Sequence, residues 1–310
     1  MHIVIEGDAS PRGWPVSGCR CASCAFLPLP HAPTRVLLDG VLLGDCPSGE
    51  VPGGLDVRAP GGGRVLYGLP GTAPEPAPGA VYDAVVFDVL ADPAHLGLLR
   101  RSGAVGPATE VHAVHVDDRV RSEAELARRL GFWGASRPGP HRTLLLGGSR
   151  SGKSAEAELR LLAEPEVTYV ATGPVPSAGD PEWARRVGEH RARRPPAWRT
   201  IETTDLAGVL RGTGGAVLVD GLGTWLAAVM DARAAWEDPA AVRPCFDELT
   251  EAWRQAAGTV VAVTDEVGMA LVPRTPSGRL FRDLLGSLNQ LLAAESEEVA
   301  LIVAGRVHTL

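Results

Sequence analysis

Leu144-Leu145-Leu146-Gly147-Gly148-Ser149-Arg150-Ser151-Gly152-Lys153-Ser154 fits the pattern Gly-x4-Gly-Lys-[Ser/Thr]. Its context is the one the pattern needs, an apolar run before it and a helical run after it. Glycines let the backbone wrap a phosphate with its N–H groups, and the start of the following helix adds the positive end of a dipole. Gly147, Gly148, Ser149, Arg150, Ser151 and Gly152 are therefore expected to cradle nucleotide phosphates. Lys153 is expected to reach the β- and γ-phosphates, and the Ser154 hydroxyl to bind Mg²⁺. The alternative is a glycine-rich turn that only joins strand to helix. Composition weighs against it. The chain has 30 Lys and Arg residues, and Lys153 is the sole lysine among them.

Outward from the loop, strand and helix alternate. Thr143–Leu146 reads as a strand and Ser154–Ala163 as a helix. Val167–Ala171 is a strand. Pro181–His190 is a helix with Asp180 as its N-cap. Ala216–Val219 is a buried-type strand ending at Asp220. Phe246–Ala257, Thr259–Val263, Leu280–Ala294 and Val299–Ala304 continue the alternation as helix, strand, helix and strand. Continuous apolar strands between helices imply a mainly parallel sheet covered on both faces. Asp220, at the carboxyl end of its strand, stands where a magnesium-holding acid belongs. It also starts an Asp-Gly pair that would suit a plain turn.

Residues 1–135 have a different texture. Pro/Gly clusters separate short β-like runs at Ile3–Ile5, Val36–Leu38, Val41–Leu43 and Val85–Phe87. Ser122–Leu130 is helical, with Ser122 and Glu125 as a capping box. Residues 135–141 read as a linker, giving domains 1–135 and 142–310. With 310 residues, both can bury a core. A net charge of −7 offers no basic footprint for nucleic acid. No apolar run is long enough for a membrane span, and no basic-then-apolar leader opens the chain. The five cysteines do not read as a disulfide framework, so the expected compartment is the cytoplasm.

Two clusters remain. Arg186 and His190 are four apart on one helix, followed by Arg191, Arg193 and Arg194. Such a basic cluster in an acidic chain suits a polyphosphate. His190 is either a solvated helix-end residue or a nucleophile toward phosphorus. Cys19, Cys21 and Cys24 offer three thiolates for a structural Zn²⁺. Cys46, His31 or His141 would supply the fourth ligand, and the alternative is three free thiols.

Taken in order, residues 142–307 resemble the bifunctional adenosylcobinamide kinase / adenosylcobinamide-phosphate guanylyltransferase family. The resemblance is carried by Gly147–Ser154, Tyr169-Val-Ala-Thr172, and Glu182, Arg186, His190, Arg194-Pro195 and Trp198-Arg-Thr200. It continues through Thr264-Asp-Glu-Val-Gly268, Val272-Pro273, Arg279–Asp283 and Gly286-x-x-Asn289-Gln290. It implies a P-loop NTPase-type α/β domain that assembles as a homo-trimer. It also implies two reactions. ATP or GTP phosphorylates adenosylcobinamide. GTP then guanylylates His190, and GMP passes to adenosylcobinamide phosphate. Arg186 and Arg194 would hold phosphate or stabilise charge at the α-phosphorus, and Glu202 is counted among the nucleotide contacts. The chain departs from the family where Asp265 replaces an Asn, where Asp220 and Gly221 stand for a common Glu and a frequent Cys, and where a Thr-Asn is missing around Ala227-Ala228. Two other readings compete: a non-catalytic GTP-binding regulatory protein, and a P-loop small-molecule kinase without nucleotidyl transfer.

The first half opens with His2–Ala9 and Gly13-to-Cys24 stretches that resemble a metallo-β-lactamase-like domain of the phosphodiesterase type. The His-x-His-x-Asp-His metal motif is absent, and the nearest piece is His112-x-x-His115-x-Asp117-Asp118. The half is short for that fold, which implies a shortened, catalytically silent, β-rich remnant.

Overall fold

The computed structural model describes residues 1–310 apart from 135–138, 174–178, 180 and 193. Of residues 183, 186 and 190 it describes the backbone alone. The Asp180 cap and most of the 135–141 linker therefore lie outside the described residues. Contacts divide the chain into two units, Met1–Ser136 with Leu162–Pro165, and Arg137–Leu161 with Glu166–Leu310.

The first unit contains β1 (Ile3–Gly7), α1 (Ala22–Ala25), β2 (Arg35–Leu38), β3 (Val41–Leu42), β4 (Ser48–Val51), β5 (Gly54–Arg58), β6 (Arg64–Gly68), β7 (Ala84–Phe87), α2 (Pro93–Arg101), β8 (Glu110–Ala113) and α3 (Glu123–Trp133). Strands β1-β2-β3 form an antiparallel sheet. Strands β4-β5-β6-β7-β8 form a mixed one, parallel at β6-β7-β8. Both sheets feed one core, with Val36 and Leu38 from one and Val57, Val65, Ala84 and Val86 from the other. Apolar residues at alternate positions produce this, because side chains of a strand point to opposite faces in turn. Two Pro/Gly clusters prove to be the tips of hairpins β4-β5 and β5-β6. Ser122 caps α3, accepting from the Glu125 N–H at 3.2 Å. The Glu125 carboxylate reaches back to the Arg121 N–H, one residue earlier than a capping box requires.

The second unit contains β9 (His141–Gly147), α4 (Lys153–Leu161), β10 (Val167–Ala171), α5 (Pro181–Ala192), β11 (Arg199–Glu202), α6 (Leu206–Gly212), β12 (Ala216–Asp220), α7 (Leu222–Ala232), α8 (Arg243–Arg254), β13 (Thr259–Asp265), α9 (Pro276–Ala294), β14 (Glu298–Val303) and β15 (Arg306–Thr309). His141, assigned above to the linker, is the first residue of β9. The order is β11-β10-β12-β13-β9-β14-β15, parallel throughout except for β15. Helices cover the apolar strands; Leu285, Leu288 and Leu292 of α9 are all fully buried at helical spacing. The sequence β9, β10 does not place neighbours side by side, since β13 and β12 lie between them. The carboxyl ends of β9, β13 and β12 thus lie at a switch in strand order, where such sheets bind ligands. Among the described residues no helix is long and apolar enough to cross a membrane.

Candidate functional site

The loop between β9 and α4 is shaped by its glycines. Gly152 has φ +96, a conformation that L side chains rarely adopt, and a Cβ there would stand 3.2 Å from Gly305. A Cβ on Gly147 would meet the Ser151 hydroxyl at 2.5 Å. The loop is tied down by the Gly305 N–H donating to the Ser151 carbonyl at 2.7 Å. Gly148, Ser149 and Arg150 are exposed at its crest, while Ser151 and Lys153 are buried. Lys153 Nζ donates to the Gly148 carbonyl at 3.0 Å and pairs with Asp265 Oδ1 at 2.8 Å.

Strand pairing brings the acid to the loop. Asp220 ends β12, and its Oδ1 accepts from the Ser154 hydroxyl at 3.1 Å. Its other oxygen accepts from the Tyr169 hydroxyl on the neighbouring β10. Burial, then the negative Asp220, push the Tyr169 phenol far above its ordinary range, so it remains a donor. The Arg194 guanidinium lies over the Tyr169 ring, 3.3 Å from its centroid, and donates to Thr200 Oγ1 at 3.1 Å. Hydroxyl and carboxylate oxygens are the hard donors that Mg²⁺ prefers, so Ser154 and Asp220 fit that ion.

A cavity of about 360 Å³ lies over the loop. It is lined by residues 149–155 and by Glu182, Arg185 and Glu189 of α5. The helix that carries Arg186 and His190 therefore walls the cavity over the loop. The side chains of Arg186 and His190 lie outside the described residues. Glu202 does not line this cavity. It accepts from Arg191 at 2.5 Å and borders a second one, of about 460 Å³, with Arg194, Trp198 and Thr200. Motif reading quoted Tyr169, Glu182 and Asp265 but gave none of them a partner in the site, and it did not single out Arg185 or Glu189. Tyr169 faces Asp220 only because β10 and β12 pair, which no local pattern reports.

In the first unit the ligand atoms of Cys19, Cys21, Cys24 and Asp118 all lie within 4.8 Å of one another. Cys19 and Cys21 sulfurs stand 3.7 and 3.6 Å from Asp118 Oδ2. The group beside the three thiols is Asp118, and none of the three fourth-ligand candidates named from sequence, Cys46, His31 and His141, stands in this cluster. Cys46 is buried in the core with its thiol 3.4 Å from the Leu42 carbonyl. His31 is held by Asp8 at 2.7 Å and Glu123 at 3.1 Å. His141 opens β9, with Glu298 3.7 Å away. Burial pushes the Cys24 thiol up to about 11, whereas the Cys24 backbone N–H draws the Cys21 thiol down. The His112 to Asp118 piece does not converge: His112 pairs with Glu110, His115 is buried with Thr34 and Tyr67, and Asp117 pairs with Arg119.

Comparison with known proteins gives these features a family. Three curated relatives align with slightly more than half of the chain and nearly all of their own length. The bifunctional adenosylcobalamin biosynthesis protein CobP of Pseudomonas aeruginosa is 41% identical over 170 residues, 53% of this chain and 94% of its own. CobU proteins of the same description from Salmonella typhimurium and Escherichia coli are 37% and 34% identical, each over 52% of this chain and 95% of theirs. Among solved structures, the P4 protein from bacteriophage phi6 in complex with ADP aligns with 54% of this chain and 52% of its own at 18% identity. Its TM-score is 0.30, too low to argue from. The family model described as cobinamide kinase / cobinamide phosphate guanyltransferase matches residues 143–310, more than half of the chain, and the chain belongs to that family.

Proposed function

We infer that the second unit phosphorylates adenosylcobinamide and then transfers GMP from GTP to the resulting phosphate. The observation that carries this reading is the shared wall. The cavity over the phosphate loop is bounded by α5, the helix bearing His190. A nucleotide seated there has its phosphates on the loop and a histidine-bearing helix beside them.

In the first reaction the terminal hydroxyl of the substrate attacks the γ-phosphorus and releases its proton to water, the bond from the γ-phosphorus to the β-phosphate oxygen breaks, and the nucleoside diphosphate leaves. Loop N–H groups and Lys153 hold the β- and γ-oxygens, stabilising charge as it shifts toward the leaving group. Ser154 and Asp220 would hold Mg²⁺, which supplies charge neutralisation on the phosphates when bound. In the second reaction the neutral imidazole of His190 attacks the α-phosphorus of GTP. A P–N bond forms, the bond to the β-phosphate oxygen breaks, and pyrophosphate leaves. An oxygen of cobinamide phosphate then attacks the same phosphorus, breaks the P–N bond and carries GMP away. Arg186 and Arg194 stabilise charge at that phosphorus. Splitting the transfer avoids forcing two polyanions together in one displacement. The homo-trimer belongs to the same proposal.

Product analysis tests it. Adenosylcobinamide, nucleoside triphosphate and Mg²⁺ should give the phosphate and then the GDP derivative, resolved by mass spectrometry. Accumulation of the phosphate alone would leave a kinase without nucleotidyl transfer, and neither product would leave a nucleotide-binding protein.

Residues 1–135 fit a shortened, catalytically silent metallo-β-lactamase-like domain, because its two sheets share one core while the His112–Asp118 groups are dispersed. Cys19, Cys21, Cys24 and Asp118 would hold one structural Zn²⁺, three soft thiolates and a carboxylate being a suitable tetrahedral set. Metal analysis of the purified protein should find about one equivalent of zinc, lost in Asp118→Ala. Less than about half an equivalent in the wild type would favour free thiols.

A further inference from the structure

The sole lysine of the chain is already paired. Lys153 Nζ stands 2.8 Å from Asp265 Oδ1, and its side chain is 11% exposed while that of Asp265 is 45% exposed. The acid is held there by the fold. Asp265 ends β13 in register with Gly147, the first glycine of the loop. Its backbone carbonyl accepts from Asn289 Nδ2 of α9 at 3.2 Å, and Thr264 beside it donates to Asn289 Oδ1 at 2.7 Å. Its second carboxylate oxygen lies 2.9 Å from where a Cβ on Gly223 would stand, so the seat exists because residue 223 has no side chain. Asp220, one strand further along the sheet, adds a second carboxylate behind Ser154.

A polyphosphate arriving at this loop meets a lysine that is neutralised and a carboxylate that it must displace or tolerate. Without a metal, the γ-phosphate and Asp265 would place like charges around one ammonium. A chelated divalent cation cancels that repulsion and frees Lys153 for the phosphates. We propose that Asp265 makes the phosphate loop selective for the metal-chelated nucleotide, holding Lys153 against free polyphosphate and yielding it to the magnesium complex. The proposal rests on the phosphate-loop reading above and adds to it a residue that sets which nucleotide species enters.

The test is equilibrium binding of a fluorescent nucleoside triphosphate analogue to the full chain, with excess Mg²⁺ and with EDTA. In the wild type, metal removal should weaken binding at least tenfold. In Asp265→Asn, an isostere at a half-buried position, the ratio of the Kd in EDTA to the Kd with Mg²⁺ should shrink by about tenfold. Asp265→Ala should show the same split, which guards against an effect peculiar to the amide. A change of equal size under both conditions, or no change in EDTA, overturns the proposal. Failure of the wild type to bind nucleotide even with Mg²⁺ overturns the phosphate-loop reading and this inference with it, so the two failures are distinguishable.

Discussion

Asp220→Asn separates a metal-holding role for this acid from a purely structural one. Asp220 accepts from Ser154 at 3.1 Å and from the Tyr169 hydroxyl. Asparagine keeps the size and much of the hydrogen bonding but removes the charge. A hydrogen bond to a charged group contributes about 1.5–3 kcal/mol and a neutral one about 0.5–1.5, so two weakened bonds cost ~2 kcal/mol. For a unit of this size that lowers the melting temperature by roughly 4–8 °C. The functional effect is larger. A unit negative charge about 4 Å from a divalent cation, at an effective dielectric of about 20, attracts it by ~8 kcal/mol before dehydration. Stripping water from both ions offsets most of this, and a net of ~3 kcal/mol corresponds to about a hundredfold. The assay is phosphoryl transfer to adenosylcobinamide as a function of Mg²⁺ concentration. The magnesium requirement should rise about a hundredfold in Asp220→Asn. Tyr169→Phe is the control: it deletes the hydroxyl, keeps the ring beneath Arg194, and should lower stability by about 1.5–3 kcal/mol with the magnesium requirement within threefold. A wild-type magnesium requirement in Asp220→Asn would rule out a metal-holding role for this carboxylate, as would a hundredfold shift in Tyr169→Phe.

Other consequences can be checked alongside. Lys153→Ala should reduce phosphoryl transfer by about 10²–10³-fold, and unchanged turnover would separate the loop from the kinase site. The Arg142 guanidinium and backbone N–H hold the Glu297 carboxyl at about 2, below its ordinary 4.5. A depressed folded-state value gives stability that is present above 4.5 and lost as pH falls through about 2. Glu297→Gln should therefore lower the melting temperature at neutral pH, with the difference shrinking below about 4.5 and gone near 2. Leu285 is fully buried on α9, so Leu285→Ala should cost about 2–5 kcal/mol in denaturant unfolding while the folded fraction still binds nucleotide.

The second unit was legible where pattern and periodicity agree. Val167–Ala171 coincides with β10, and the loop context was right because a phosphate cradle requires a strand before it and a helix after it. Other elements gave no comparable signal. α7 reads Leu-Gly-Thr-Trp-Leu-Ala-Ala-Val-Met, apolar nearly all round, so it has no polar face to set a helical period. β11 is a four-residue edge strand, Arg-Thr-Ile-Glu, too short and polar to stand out. In the first unit the Pro/Gly clusters do turn the chain between strands, but β4, β5 and β6 on either side of them alternate too weakly to stand out. At the sites, residues within one motif were readable and residues joined by tertiary pairing were not. Ser154 and Lys153 sit in one octet with the loop, while Tyr169, Asp265 and Asp118 reach their partners across strands or across 97 residues of chain.

Covalent guanylylation of His190 is the step on which the proposed GMP transfer depends. Incubation of the full chain with α-³²P-labelled GTP and Mg²⁺, followed by denaturing electrophoresis, measures it directly. The wild type should take up acid-labile, alkali-stable label that adenosylcobinamide phosphate discharges, and His190→Ala should take up none. Folded wild-type protein that binds GTP yet takes up no label, or a His190→Ala variant labelled like the wild type, would contradict it.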